Sequence, residues 1–400
     1  MRLTVLLCAS LLAACDPRPR PVAAPGWTTR PRRDCPRVEV VRDDLAGASW
    51  ARTRMFLGCG AHDLCALYRD GEAGPLVHLR LDFAGQVTAR RVLPWPELSP
   101  NAALAAALDE TDTVIVAADP TGPVTVARHT ADGARAWVAE APLRRPAMQQ
   151  DPWDTITAGE PWDMRHRIAT TAATVALLAA HDEIHVIQWD RTTGAPVRDD
   201  RSPAAGPRGA VCLASRPDRV FAATLTPVDL APRPGYHARL DAMWLATSSG
   251  DPPMHTAVYL PKHSPVLACS LAADHAELAL IPYNEPSTVR ITPTHPGFAA
   301  PTPMARQITQ ADTAVTMLAA DDLTLVAWED RVLHPAHAPS LRSWLTFLDE
   351  GGRPTHVRAV AESAFNVSLT ATSAGPYAAY QSDWQHFSLA RVGCDRTRVR

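Results

Sequence analysis

Apolar and polar residues alternate along Ile184 to Asp199, IHVIQWDRTTGAPVRD, with Ile184 and Val186 on one side of the run and His185, Ile187 and Trp189 on the other. A period of two belongs to a β-strand, and Asp190-Arg191-Thr192-Thr193-Gly194 is turn chemistry, so the stretch predicts a β-hairpin. The same strand, turn, strand pattern returns in LRLDFAGQVTARRV, VARHTADGARAWVA, MWLATSSGDPPMHTAV and WLTFLDEGGRPTHVRAV, with turn glycines Gly85, Gly133, Gly250 and Gly352. A weaker copy surrounds Gly297. Successive turn glycines are 47 to 61 residues apart, the spacing of one four-stranded blade per repeat.

Laid out in order, these units predict an all-β, seven-bladed β-propeller. Six blades find four strands each, the fourth of blade 5 being placed near Met304 to Ile308. The seventh has only Asn366 to Thr372, Tyr377 to Gln381 and Phe387 to Val392. Arg37 to Val41, RVEVV, precedes blade 1 with no partner of its own. Setting it beside Phe387 to Val392 completes the last blade and removes an exposed sheet edge. One register is ambiguous, because LLAAHDEIHVIQWDR aligns without gaps to MLAADDLTLVAWEDR. The turn at Gly194 assigns the first pair of strands to the second and third places of its blade and the other pair to the first and second.

Composition supports short strands: hydrophobic residues make up 46% of 400, and 20 glycines and 37 prolines are spread along the chain. The net charge of −3 argues against a nucleic-acid surface. The basic residues are almost all arginine, Lys262 being the lysine found, which fits the codon bias of a GC-rich genome.

The first residues read as an address rather than a fold. MRLTVLLCASLLAAC has one positive charge at Arg2, then an apolar run too short to span a bilayer. Leu12-Ala13-Ala14-Cys15 resembles the lipobox of bacterial lipoproteins. The resemblance implies a leader over 1–14, cleavage before Cys15, and lipidation of Cys15, hence an exported protein of the cell envelope anchored to the bilayer. Residues 15–36, rich in proline and arginine, would form an extended tether reaching on the order of 50 Å at ~3.1 Å per residue. Its arginines either touch anionic headgroups or are simply solvated. The propeller then spans 37–394 and a short tail 395–400.

Six further cysteines remain, an even number that suits disulfides in an exported chain. Cys35 and Cys394 flank the two strands that close the ring, Cys59 and Cys65 flank the first turn of blade 1, and Cys212 and Cys269 lie on inner strands of adjacent blades. The last two are either bonded or two buried thiols.

Long connections fall together on the face that carries the second-to-third and blade-to-blade links: Ala141 to Arg167, Pro227 to Ala238, Pro293 to Arg306 and Glu329 to Ser340. Function concentrates in such loops. One of them repeats an acidic-aromatic cluster, Asp151, Trp153 and Asp154 echoed by Glu160, Trp162 and Asp163. Carboxylates and indoles could hold a cation or a sugar ring, or the tryptophans could only pin the loop to the rim.

Catalytic signatures are missing. HDEIH at His181 to His185 has Asp182 where a zinc-protease signature needs glutamate, and it lies on a strand, where both rings do not share a helical face. His334 and His337 have no identifiable metal partners. No metal or cofactor is expected. The hairpin IHVIQWDRTTGAPVRD resembles the repeats of quinoprotein-like propellers, strand, aspartate, small turn ending Thr-Gly, strand, although that family's tryptophan-docking positions are not repeated. The resemblance implies the fold and not quinone binding. The sequence therefore predicts a monomeric, membrane-tethered propeller acting as a non-catalytic scaffold for an envelope protein or glycan. The alternative is a hydrolase or lyase with its site at the channel mouth.

Overall fold

The computed structural model describes residues 37–393 except 48–54, 59, 72–73, 96–101, 119–122, 145–166, 181–182, 204–209, 228–237, 248–250, 261–266, 273, 281–285, 295–296, 299–300, 305–310, 321–322, 333–339, 350, 362–363 and 383–385. Within them the chain forms strands and no helix. The first strand is β1 (Arg37–Gly47). Blade 1 is β2 (Met55–Gly58), β3 (Leu64–Arg69), β4 (Leu76–Leu81) and β5 (Val87–Val92). Blade 2 is β6 (Ala103–Leu108), β7 (Asp112–Ala118), β8 (Pro123–Thr130) and β9 (Arg135–Arg144). Blade 3 is β10 (Ile168–Thr170), β11 (Thr174–Ala180), β12 (Glu183–Asp190) and β13 (Pro196–Pro203).

Blade 4 contains β14 (Ala210–Arg216), β15 (Arg219–Pro227), β16 (Ala238–Ala246) and β17 (Met254–Leu260). Blade 5 contains β18 (Leu267–Leu271), β19 (Ala276–Leu280) and β20 (Ser287–Ile291). The chain then visits β21 (Gly297–Phe298) before β22 (Thr302–Pro303) completes blade 5. Blade 6 is β23 (Ala311–Ala320), β24 (Leu323–Val332), β25 (Ser340–Leu348) and β26 (Pro354–Ala359). Blade 7 is β27 (Phe365–Thr372), β28 (Gly375–Gln381), β29 (His386–Gly393) and, from the other end of the chain, β1. The first strands abut in a closed cycle from β2 through β6, β10, β14, β18, β23 and β27 back to β2. This is a seven-bladed propeller. β1 runs antiparallel to β29, with Arg37 opposite Gly393 and Val38 opposite Val392, so the closure expected from the unpartnered RVEVV is present.

Burial explains the sequence pattern. Middle strands lie between two neighbouring blades and are covered on both faces: every residue of β3 and of β19 is buried. Outer strands are covered on one face, so β13 alternates between exposed and half-buried positions. Ile187 and Trp189 join the core shared with Val114, Val116 and Trp137 of blade 2. Ile184 and Val186 face blade 4, against Val211, Val220 and Met243. The period-two alternation thus sorts one strand's side chains between two neighbours. The ambiguous register resolves as the turn chemistry implied: β11 and β12 are second and third strands, while β23 and β24 are first and second.

The hairpin turns hold the blades to one another. Asp190 Oδ1 accepts the amides of Thr192 (3.1 Å) and Thr193 (2.7 Å), and Asp82 and Asp349 brace their own turns likewise. Gly194 takes a φ of 72°, a left-handed conformation in which glycine meets no steric cost. Each braced turn presents a carbonyl to the preceding blade. Arg42 of β1 donates to Gly85 O (3.2 Å), Arg91 of β5 to Ala131 O, Trp137 of β9 to Arg191 O (3.0 Å), and Arg198 of β13 to Ala246 O (3.2 Å). Thr256 of β17 donates to Pro293 O (3.0 Å). In blade 5, whose outer strand has only two residues, Thr288 of β20 supplies the donor to Gly352 O instead (3.1 Å).

Three expectations need correction. The fourth strand of blade 5 is β22, slightly upstream of Met304 to Ile308. The stretch from Thr292 to Pro301 is consequently a third-to-fourth connection, and that face is not uniformly short-turned. Gly297 is no turn glycine: β21 pairs in parallel with the outer edge of β17, Gly297 opposite Val258 and Phe298 opposite Tyr259. A period argument cannot see this, because two residues crossing to another blade leave no repeat. Gly250 lies outside the described residues.

Candidate functional site

Between blades 2 and 3 lies an open groove of about 550 Å3, lined by Ala139 and Glu140 of β9, Ile187 and Trp189 of β12, Gly194 in the turn, and Pro196, Val197, Arg198 and Asp199 of β13. Its form follows from the two outer strands. Trp137 packs under the Gly194 turn, where an added Cβ would meet the indole at 2.7 Å, and this contact sets the spacing at one end. Further along, β9 offers only Ala139, and the blades part. The floor is apolar.

At the other end the side chains are charged. Across the β12–β13 ladder, Ile187 stands opposite Asp199 and His185 opposite Arg201, so all four share the face turned to blade 2. The His185 side chain, 7% exposed, donates from Nε2 to Asp199 Oδ1 at 2.6 Å. Arg201 Nε donates to the same Oδ1 at 3.3 Å, and its Nη1 reaches Glu183 Oε1 at 3.2 Å. Asp199 Oδ2 has no partner among the described residues, and the side chain is 47% exposed. Burial pulls the Asp199 carboxyl upward, but the Arg201 hydrogen bond and the His185 charge outweigh it and hold the group below the usual carboxylate range. The result is an anion fixed by two donors on one oxygen, with its other oxygen free beside an apolar floor.

A second cluster starts on the first turn of blade 5 and continues along β19 and β20, where Glu277 lies against the Gly352 turn of blade 6. Asp274 Oδ1 accepts from His275 Nδ1 at 2.7 Å, and His275 Nε2 lies 3.9 Å from Glu277 Oε2, which Arg290 Nε reaches at 2.9 Å. The hydrogen bond from His275 holds Asp274 below its ordinary value. Burial, opposed by Arg290, raises Glu277. On the same face Asp112, almost fully buried, pairs with Arg128 (2.5 Å) and with Arg191 (2.7 Å), which also binds Asp109 and Thr171 O (2.8 Å). Asp109, Asp112 and Arg191 pair across the blade 2 to blade 3 seam and Arg128 pairs with Asp112 within blade 2, which marks the cluster as structural.

The residues singled out from sequence fare differently. Cys212 and Cys269 form a disulfide between the first strands of blades 4 and 5. Cys65 is disulfide-bonded, and Cys59, the partner assigned to it from sequence, lies outside the described residues. So do Cys15, Cys35 and Cys394, the loop residues Asp151, Trp153, Asp154, Glu160, Trp162 and Asp163, and His181, His334 and His337. From sequence, Glu183 and His185 figured only within HDEIH, as a rejected metal signature, and their grouping with Asp199 and Arg201 was not read there. A signal existed in Val197-Arg198-Asp199-Asp200-Arg201, where period two sorts the charges into two opposite pairs, but it names no cross-strand partner. Among the described residues no set of three or more His, Cys, Asp or Glu side chains is arranged to hold a metal ion.

No protein-family model matches the chain. No curated protein matches it either. Solved structures of similar shape include the β-propeller domain of the Trilobed protease from Pyrococcus furiosus, 6% identical, covering 87% of this chain and 99% of that one with a TM-score of 0.46. AofleA from Arthrobotrys oligospora is 10% identical over 81% of this chain and 89% of its own, TM-score 0.44. The subtype N10 neuraminidase-like protein of A/little yellow-shouldered bat/Guatemala/060/2010 is 8% identical over 91% of this chain and 100% of its own, TM-score 0.44.

Proposed function

We propose that the protein is a membrane-tethered, extracytoplasmic propeller that serves as a non-catalytic binding scaffold, engaging an envelope protein or glycan at the rim where blades 2 and 3 meet. The observation that carries this reading is the groove: an apolar floor ending in a charged, half-exposed carboxylate with one oxygen free. His185 is committed through Nε2 to that carboxylate and is largely buried, so it orients an anion instead of serving a substrate as base. Export is supported by the Cys212–Cys269 disulfide, a bond that persists in oxidising compartments, and by the lipobox-like Leu12-Ala13-Ala14-Cys15. Two measurements test the reading. Growth with a clickable fatty acid should label the wild type and not Cys15→Ala; an unlabelled wild type removes the tether. A photo-crosslinking residue at Val197 should trap an envelope component that the same residue at Asp218, on a distant turn, does not. Identical products from both positions, or none, would reject the groove.

A second reading, a hydrolase or lyase, rests on Asp274, His275 and Glu277. Two carboxyls shifted in opposite directions around an imidazole are the arrangement that divides acid from base roles. Its test is a screen of ester, glycoside and phosphate substrates: turnover lost in His275→Asn, at an unchanged melting temperature, would favour it over the scaffold.

A further inference from the structure

The groove has a register as well as a chemistry. Val197 and Asp199 both line the groove; Val197 stands at the bulge where the pairing shifts between Gln188 and Trp189, and Asp199 and Arg201 follow in regular register, two residues apart at ~6.5 to 7 Å. Val197 is 40% exposed, large for an aliphatic side chain on a folded surface. Asp199 follows with its free Oδ2. Among the described residues β13 is the last strand of its sheet, and nothing pairs with its outer edge. Between Pro196 and Pro203, which lack amide hydrogens, Val197 to Ser202 present a stretch of backbone to which another strand can bond.

The propeller already accepts such a strand one blade further on. β21 lies parallel along the outer edge of β17 and adds a fifth strand to blade 4. That occupant, Gly297 and Phe298, pairs by backbone and is only two residues long. Blade 4 thereby has its edge covered by the chain's own segment, while blade 3 has a comparable edge beside a groove and no such cover among the described residues. Addition of an extended segment to a sheet edge takes its affinity from the backbone and its specificity from alternate side chains.

We infer that the groove between blades 2 and 3 docks an extended peptide running along β13, with an apolar side chain beside Val197 and an arginine or lysine two positions away against Asp199. The inference rests on the proposed reading of the groove as a binding surface and names its partner class. Alternate side chains of an added strand point to the same face, so residues i and i+2 of the peptide enter the groove together. The apolar one covers Val197 and Pro196 above Trp189. The basic one donates to Oδ2 of a carboxylate whose position His185 and Arg201 have already set, so little ordering is left for binding to supply. Glu183, itself paired with Arg201, adds negative charge at that end.

The test uses the purified propeller from residue 16 onward and three end-capped hexapeptides, Thr-Phe-Thr-Arg-Thr-Gly, Thr-Phe-Thr-Glu-Thr-Gly and Thr-Ser-Thr-Arg-Thr-Gly, titrated calorimetrically at low salt. The first should bind at least tenfold more tightly than either of the others, and raising the salt should weaken it. Asp199→Asn and, separately, Val197→Glu should each lower its affinity at least tenfold with the melting temperature held. Equal binding of the arginine and glutamate peptides, or full affinity in both variants, would overturn the inference. If no peptide binds while crosslinking at Val197 still traps an envelope component, the peptide class is wrong and the groove stands; if neither occurs, both readings fall.

Discussion

Alanine at Gly194 tests how the blades are locked together. The position carries two separable costs. Its φ of 72° disfavours any L-residue by roughly 1 to 2 kcal/mol. An added Cβ would also stand 2.7 Å from Trp137 Cδ2 and 2.8 Å from Cγ, when ordinary carbon contacts begin near ~3.5 Å. The indole is nearly buried and its Nε1 donates to Arg191 O at 3.0 Å, so it cannot withdraw without straining that bond; forced repacking of this kind costs about 1 to 3 kcal/mol. Gly194→Ala should therefore lose about 3 kcal/mol. Gly71 supplies the reference, since it has a φ of 84° and nothing within 4 Å of an added Cβ. Gly71→Ala should lose only the backbone part. Urea unfolding of both, alone and in a Trp137→Ala background, isolates the docking contribution, which should vanish when the indole is absent. Losses from the two glycine variants within about 0.5 kcal/mol of each other, a difference too small for overpacking, would refute the claim that the turn is keyed to the preceding blade.

Other outcomes follow from the same structure. Burial, with Arg80, Arg91 and His129 nearby, holds His78 down at about 4 against an ordinary 6.5, and burial with Arg135 lowers His129 against a weaker opposing pull from the Gly133 backbone. Groups depressed in the folded state leave stability intact above pH 6.5 and drain it as the pH falls towards about 4, by on the order of 3 kcal/mol for His78. His78→Gln should flatten the acid limb of the stability curve; an unchanged limb rejects the assignment. The Cys212–Cys269 bond closes a span of 57 residues, for which chain entropy gives about 4 kcal/mol. Replacing both by serine should lower the melting temperature and shrink its drop on adding reductant to the part that the Cys65 disulfide contributes, whereas an undiminished reductant effect would place the labile bond elsewhere. Arg191→Met removes the ion pair on Asp109, whose Oδ1 keeps Thr111 and the Asp112 amide, and half of the pairing of nearly buried Asp112, a loss of about 3 kcal/mol. Adding Asp112→Asn should recover part of it, as measured by urea titration, and failure to recover would assign the loss to packing.

Most of the fold was legible because its code is local. Period two reveals a strand, an aspartate followed by glycine a few residues later reveals a braced turn, and recurrence reveals the blade. Even the ring closure could be read, since a seventh blade short of a strand and an orphan strand at the other end have one economical solution. Gly297 misled for the converse reason: its turn-like setting is local, while its pairing with Val258 lies in another blade.

The sequence by itself determined most of the strands, the number of blades and the pairing of the first strand with the last, because alternation and turn residues act within a few positions of one another. Only the tertiary structure decided which faces meet. That Trp137 fits beneath Gly194, that Asp199 is fixed by His185 and Arg201 with one oxygen free, and that Glu277 is buried beside His275 depend on how strands stack across blades and ladders. The groove between blades 2 and 3 exists because one indole holds the blades together at one end while Ala139 lets them part, and no pattern confined to a single strand records that distance.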